Sequence, residues 1–327
     1  MAEYKSIKGN KIQNYTTDPD NPLTGQVWYN ETDQVLKTFY VNPGSWATGG
    51  DINTARNSTQ GSGTISSAVA FGGNAPPGPP SAILTETYNG TSWTEVNDLN
   101  TGRLQFSSAG TTQDAALAIG GFDNLTETET WNGTSWTEVN DLNQGRQTTG
   151  SAGTNTAALT FGGDAPPATP EYFAGTESWN GTSWTEVNDL GTARFWIGGC
   201  GTQTAALGFG GDLNTGTPEY FTGTESWNGT NWTEVNDMNS GRRLAGGAGT
   251  QTDALVASGG PVGGNLTESW NGTSWTEVSD MILTRGGATG SFGTANSALM
   301  AGGYAAGFVT TTEEWTAGPV TKTITSS

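Results

Sequence analysis

SWTEVNDL, residues 92–99, decides the fold, because the chain keeps returning to it. It recurs unchanged from Ser135 and from Ser183, as NWTEVNDM from Asn231 and as SWTEVSDM from Ser274. Its tryptophans, Trp93, Trp136, Trp184, Trp232 and Trp275, stand 43, 48, 48 and 43 residues apart, and Trp46, in GSWATGGDI, fits one step earlier at 47. Self-similarity at a fixed period marks one supersecondary unit built several times.

Other series keep the same phase. Gly pairs occur at 72–73, 120–121, 162–163, 210–211, 259–260 and 302–303. Arg56, Arg103, Arg146, Arg194, Arg242 and Arg285 each stand five residues after an aspartate. Tyr88, Trp131, Trp179, Trp227, Trp270 and Trp315 form a third series, each two residues after a glutamate: Glu86, Glu129, Glu177, Glu225, Glu268 and Glu313. The chain therefore contains six units.

Each unit reads as short strands. AALAI, AALTF and AALGF are apolar runs ended by Gly-Gly, as expected of strands covered on both faces. In TESWNGTSWTEV, Asn-Gly sits between two short runs that each carry a tryptophan, which predicts a tight hairpin with positive φ at Asn-Gly. A period of 43–48 residues holding about four strands is that of a β-propeller blade. Six blades predict a closed ring, since one blade cannot bury both of its faces. The sixth unit lacks a second-hairpin tryptophan. Two segments compete to supply its missing strand, the one around Trp46 and the tail VTKTITSS.

Composition narrows the function. Among 327 residues, 12 Lys and Arg oppose 31 Asp and Glu, giving a formal net charge of -19, and there is no His. A histidine-bearing metal site, a histidine general base and a Ser-His-Asp triad are thereby excluded. Cys200 stands alone, so there is no disulfide framework. The charge disfavours nucleic acid as a partner. No run is apolar enough for a membrane span, and the N-terminus MAEYKSIKGN lacks the apolar core expected of a signal peptide. No cofactor or metal is expected.

The combination of Gly-Gly after an apolar strand, two aromatics spaced by a turn, and an Arg opening the next unit resembles the kelch family over roughly residues 46–327. That resemblance implies an all-β, six-bladed kelch-like β-propeller of four-stranded antiparallel blades. Kelch propellers serve as binding scaffolds, ligand-recognition modules and occasionally enzymes. Copper chemistry of the galactose-oxidase kind needs His ligands, which this chain lacks. The segment PLTGQVWYNETDQVLKTFYVNPGSW, residues 22–46, resembles a short β module of bacteriophage tail and fibre proteins, and the NGTSWTEVNDLN blades are similar to kelch-like structural proteins of marine phages.

Six equivalent arginines in six units read as structural, pairing with the equivalent glutamates and with backbone carbonyls, because an unpaired buried guanidinium is costly. Trp93, Trp136, Trp184, Trp232 and Trp275 read as blade-to-blade packing rather than a sugar-stacking surface. The Asn-Gly-Thr and Asn-Gly-Thr-like sequons, as at Asn89, read as turns rather than glycosylation sites. Trp196, in RFWIGG, stands outside the tryptophan register and occurs once, which makes it a candidate for a unique contact. The segments after Gly-Gly at 74–84, 164–175 and 212–223 are the least repetitive. They carry Tyr172, Phe173, Tyr220 and Phe221 as candidate ligand- or partner-binding residues on one rim of a rigid ring.

These readings predict residues 1–45 as an N-terminal attachment module and 46–327 as the propeller. The expected role is a non-enzymatic bacteriophage virion structural protein of a tail, fibre or appendage. It would be made in the host cytoplasm and dock through residues 1–45 to other virion proteins, in multiple copies per particle. The alternatives are a carbohydrate-binding propeller that recognises a host surface glycan and a cytoplasmic kelch scaffold that binds proteins. No catalytic residue is assigned.

Overall fold

The computed structural model describes residues 12–75, 82–165, 172–213, 220–260, 264–287 and 290–324. The chain divides into two compact units: residues up to Gly44 together with those from Thr316, and Ser45–Trp315.

Ser45–Trp315 is a six-bladed propeller. Five blades are antiparallel meanders of four consecutive strands, the first being Gln60–Thr64, Ser67–Phe71, Thr85–Tyr88 and Trp93–Glu95. The first strands of successive blades lie against one another, and that of blade six lies against that of blade one. These inner strands are built from small residues, as in QGSGT, GSAGT and GGCGT, because they crowd at the axis. A Cβ on Gly199 would stand 2.7 Å from both the Phe161 ring and the Ser151 carbonyl of the neighbouring blade.

The sixth blade settles how the ring closes. Gly290–Thr294 and Ser297–Ala301 are followed by Thr312–Thr323, and the next strand is Val35–Thr48, which carries Trp46. Within the propeller unit the Trp46 end of that strand takes the fourth place, so the N-terminal candidate closes the blade. Trp46 meets Trp315 with ring centroids 5.5 Å apart, as the hairpin aromatics of the other blades meet each other.

The core is shared between blades. Val69 and Phe71 of blade one pack with Leu99, Phe106, Ala116, Ala118, Trp131 and Trp136 of the next. Every fourth-strand tryptophan also donates its indole N–H to a threonine hydroxyl of the preceding blade, at 3.0–3.1 Å. The hairpin differs from its expected form. Tyr88 pairs with Trp93 across a four-residue loop in which Gly90 alone has positive φ, at 88°. Asn89 acts through its side chain, its Oδ1 accepting the Thr91 and Ser92 N–H groups at 3.0 Å.

In the other unit, Gln13–Tyr15 runs parallel to Val27–Asn30, which pairs antiparallel with the start of Val35–Thr48. Trp28 is fully buried and donates to Asp18, as do Asn30 and Lys37. The hydrogen bond from Lys37 leads the effects that hold the Asp18 carboxyl below its usual range.

Candidate functional site

The six repeated arginines form a buried framework. Each leads into a blade and meets the glutamate of that blade's third strand at 2.5–3.4 Å, from Arg56–Glu86 to Arg285–Glu313. Their second guanidinium nitrogens donate to backbone carbonyls, Arg194 to Gly210 and Gly223 for example. The glutamates also accept backbone N–H groups from the linker between blades, as Glu268 does from Asn239 and Ser240. Burial pulls Arg194 and Arg285 down to about 10, which leaves both charged at neutral pH. Such a network fixes where each linker enters the ring.

The framework positions a ring of unlike residues. Two places after each arginine the chain turns into the first strand with positive φ: Ser58 at 54°, Gln105 at 52°, Thr148 at 57°, Trp196 at 51°, Leu244 at 57° and Gly287 at 76°. Five of these six are not glycine, although the left-handed conformation disfavours other residues. Those five line the mouth of a cavity of about 340 Å³ that runs between the six inner strands. Blades whose hairpins repeat almost verbatim thus diverge over the short segment that enters the inner strand, NSTQ at 57–60, LQFS at 104–107, QTTG at 147–150, FWIG at 195–198 and RLAG at 243–246, and the left-handed position lies within it.

Trp196 therefore belongs to the repeat after all, at this six-fold position. It stands outside only the two tryptophan series. It is also poorly satisfied, since its indole N–H is buried without a hydrogen-bond partner. The guanidinium of Arg243, one place before Leu244, lies 4.1 Å from the Trp196 ring centre and 5.6 Å from that of Tyr220. Arg243 also pairs with the buried Asp212 at 2.7 Å. Phe195 touches Trp196 at 4.9 Å between ring centroids, and Tyr172 lies 6.5 Å from Phe195.

The predicted binding residues thus separate into two groups. Tyr172, Trp196 and Tyr220 join one aromatic and cationic cluster across three blades. Phe173 and Phe221 instead lie over the framework arginines Arg146 and Arg194, at 5.8 and 5.1 Å. Parts of the three long loops, 76–81, 166–171 and 214–219, lie outside the described residues. Their described ends return to the rim, where Tyr172 bridges Asp164 and Tyr220 bridges Asp212. Sequence reading missed Arg243, Phe195 and the ring of left-handed positions. The signal was present, as divergence at fixed offsets from the repeated arginine.

Among the described residues no group of three or more Asp, Glu or Cys side chains converges to hold a metal. Among the described residues no helix is long and apolar enough to cross a membrane.

No protein-family model and no curated protein matches the chain. Its fold is similar to the solved structure of YjhT, with a TM-score of 0.60 at 14% identity, over 84% of this chain and 96% of that one. The likeness shows a shared multi-bladed all-β propeller. It also corrects the expected bacteriophage, virion and tail-fibre identity, because the matching fold belongs to a bacterial protein and not to a phage particle. The NGTSWTEVNDLN repeats that suggested a phage serve the turns and contacts between blades, and those say nothing about a particle.

Proposed function

We propose that the chain is a non-enzymatic binding propeller that takes a carbohydrate at the channel mouth. One observation carries this reading: the six equivalent left-handed positions, Ser58 to Gly287, hold six different residues within a short segment that diverges from blade to blade, while the hairpins and the arginine framework behind it repeat. Backbone strain held by unlike side chains at a cavity mouth is a feature of ligand sites, where the surrounding structure holds what local preference resists. The arrangement combines aromatic faces with short polar side chains, the pairing that suits the C–H faces and hydroxyl edges of a sugar ring. A cavity of about 340 Å³ is of the size used for small ligands.

The test is a glycan array probed with the full chain and with Trp196→Gly. Glycine keeps the backbone conformation and deletes the ring. Binding by the native chain and its loss in Trp196→Gly, at unchanged melting temperature, supports the reading. A native chain that binds no glycan overturns it.

A further inference from the structure

The ring of left-handed residues is joined unevenly. The backbone N–H of Ser58 donates to the Gly287 carbonyl at 3.3 Å, that of Thr148 to Gln105 at 2.7 Å, and that of Leu244 to Trp196 at 3.2 Å. Among the described residues no such bond joins the three alternate junctions, Ser58 to Gln105, Thr148 to Trp196 and Leu244 to Gly287. At each of these open junctions the carbonyl of the earlier residue and the N–H of the later one make no backbone hydrogen bond to each other. At Thr148–Trp196 the unpaired indole N–H adds another donor. Backbone N–H and C=O groups seek partners, so these junctions are places where a ligand's polar atoms gain hydrogen bonds.

The chemistry of an open junction is selective. A hydroxyl donates to the carbonyl and accepts from the N–H, and so satisfies both groups. A carboxylate only accepts, and would set its charge against the carbonyl oxygen. The charges nearby act in the same direction. Of the seven arginines in Ser45–Trp315 six belong to the framework, and there is no lysine, so Arg243 is the remaining cation. It is already engaged by Asp212. A second carboxylate, Asp164, stands beside the mouth, accepting from Thr148 and from Gln147. An acidic ligand would meet the Asp212–Arg243 pair, whose charges cancel, and the further carboxylate of Asp164.

We infer that the mouth selects a neutral polyhydroxyl sugar, set with hydroxyls in the open junctions, and discriminates against acidic sugars. This rests on the carbohydrate reading above and adds the ligand's charge and hydrogen-bonding class. The test is calorimetric titration of the full chain with the methyl glycosides of glucose, galactose, mannose and N-acetylglucosamine, and with glucuronate and galacturonate, at one ionic strength. At least one neutral glycoside is expected to bind about tenfold or more tightly than either uronate. Asp212→Asn, which frees Arg243, is expected to narrow that gap. If Asp212→Asn does not fold, Asp164→Asn makes the same test by removing the other carboxylate. A uronate that binds as well as the neutral sugars overturns this inference and leaves the carbohydrate reading standing. Binding of neither class overturns both.

Discussion

The indole Nε1 of Trp46 donates to Oγ1 of Thr267 at 3.1 Å, 221 residues further along the chain. The same bond runs from Trp93 to Thr312, Trp136 to Thr85, Trp184 to Thr128, Trp232 to Thr176 and Trp275 to Thr224. The six bonds form a cycle in which each blade holds the one before it. The Trp46 bond is the member made by a strand from the other end of the sequence. Cyclic contact is what lets weak individual blades share one core.

Trp46 is 7% exposed, so Trp46→Ala is expected to lower the unfolding free energy by about 3–5 kcal/mol. Thr267→Val leaves the indole N–H buried without an acceptor and is expected to cost about 1–3 kcal/mol. Urea unfolding measures both. A loss below 1 kcal/mol for Trp46→Ala would show that this strand does not hold the ring.

Arg242 meets Glu268 at 2.5 Å with both side chains buried. Arg242→Ala strands a buried carboxylate and is expected to destabilise by about 3–5 kcal/mol. Thermal unfolding should show this shift, while any sugar affinity measured on the folded fraction stays unchanged. An affinity loss without a stability loss would move Arg242 from the framework to the binding surface.

The left-handed ring makes an unusual prediction about glycine. Gln105 has φ 52°, so Gln105→Gly relieves strain while loosening the unfolded chain, and is expected to stay within about 1 kcal/mol of the native stability. Gln105→Val forces a β-branched residue into the same conformation and is expected to cost about 1–2 kcal/mol. Equal stability of the two variants would show that the backbone there relaxes freely.

Phe221 lies over the buried Arg194 at 5.1 Å. Phe221→Ala is therefore expected to reduce stability by about 1–2 kcal/mol and to leave ligand binding intact. Tyr220→Ala removes a ring that flanks Arg243 beside Trp196, and is expected to weaken binding with a smaller effect on stability. Titration of both variants against the same sugar separates neighbours in sequence by their places in the fold. The reverse pattern would exchange their roles.

Cys200 is buried, and burial pushes its thiol from 9.0 up to about 12. At pH 8 the native thiol is expected to react with a disulfide reagent about a thousandfold more slowly than the unfolded chain. The folded state favours the protonated thiol. Its contribution to stability is therefore complete below about pH 9 and is lost as pH rises from there through 12. Fast labelling of the native protein at pH 8 would place the thiol in contact with solvent.

Much of this was legible in the repeats. Residues that must do the same thing in every blade leave a periodic trace, and Arg242, Glu268, Trp270 and Trp275 could be assigned to blade architecture by their spacing. Trp196 shows the limit. Counted along the tryptophan series it looked out of place, whereas counted from Arg194 it stands where Ser58 and Gln105 stand. Asn89 shows another, since Asn-Gly announced a turn but not which of the two residues bends the backbone and which caps it by its side chain.

The sequence by itself determined the blade count, the strands and the buried polar framework, because each is a local pattern repeated at a fixed interval. Only the tertiary structure decided which terminal strand closes the ring, which aromatics of the long loops join the cluster around Trp196 and which lie over framework arginines, and which neighbours in the left-handed ring are bonded to each other. Those depend on groups far apart in the chain, such as Trp46 with Thr267 and Thr148 with Trp196, and only the closed ring brings such residues together.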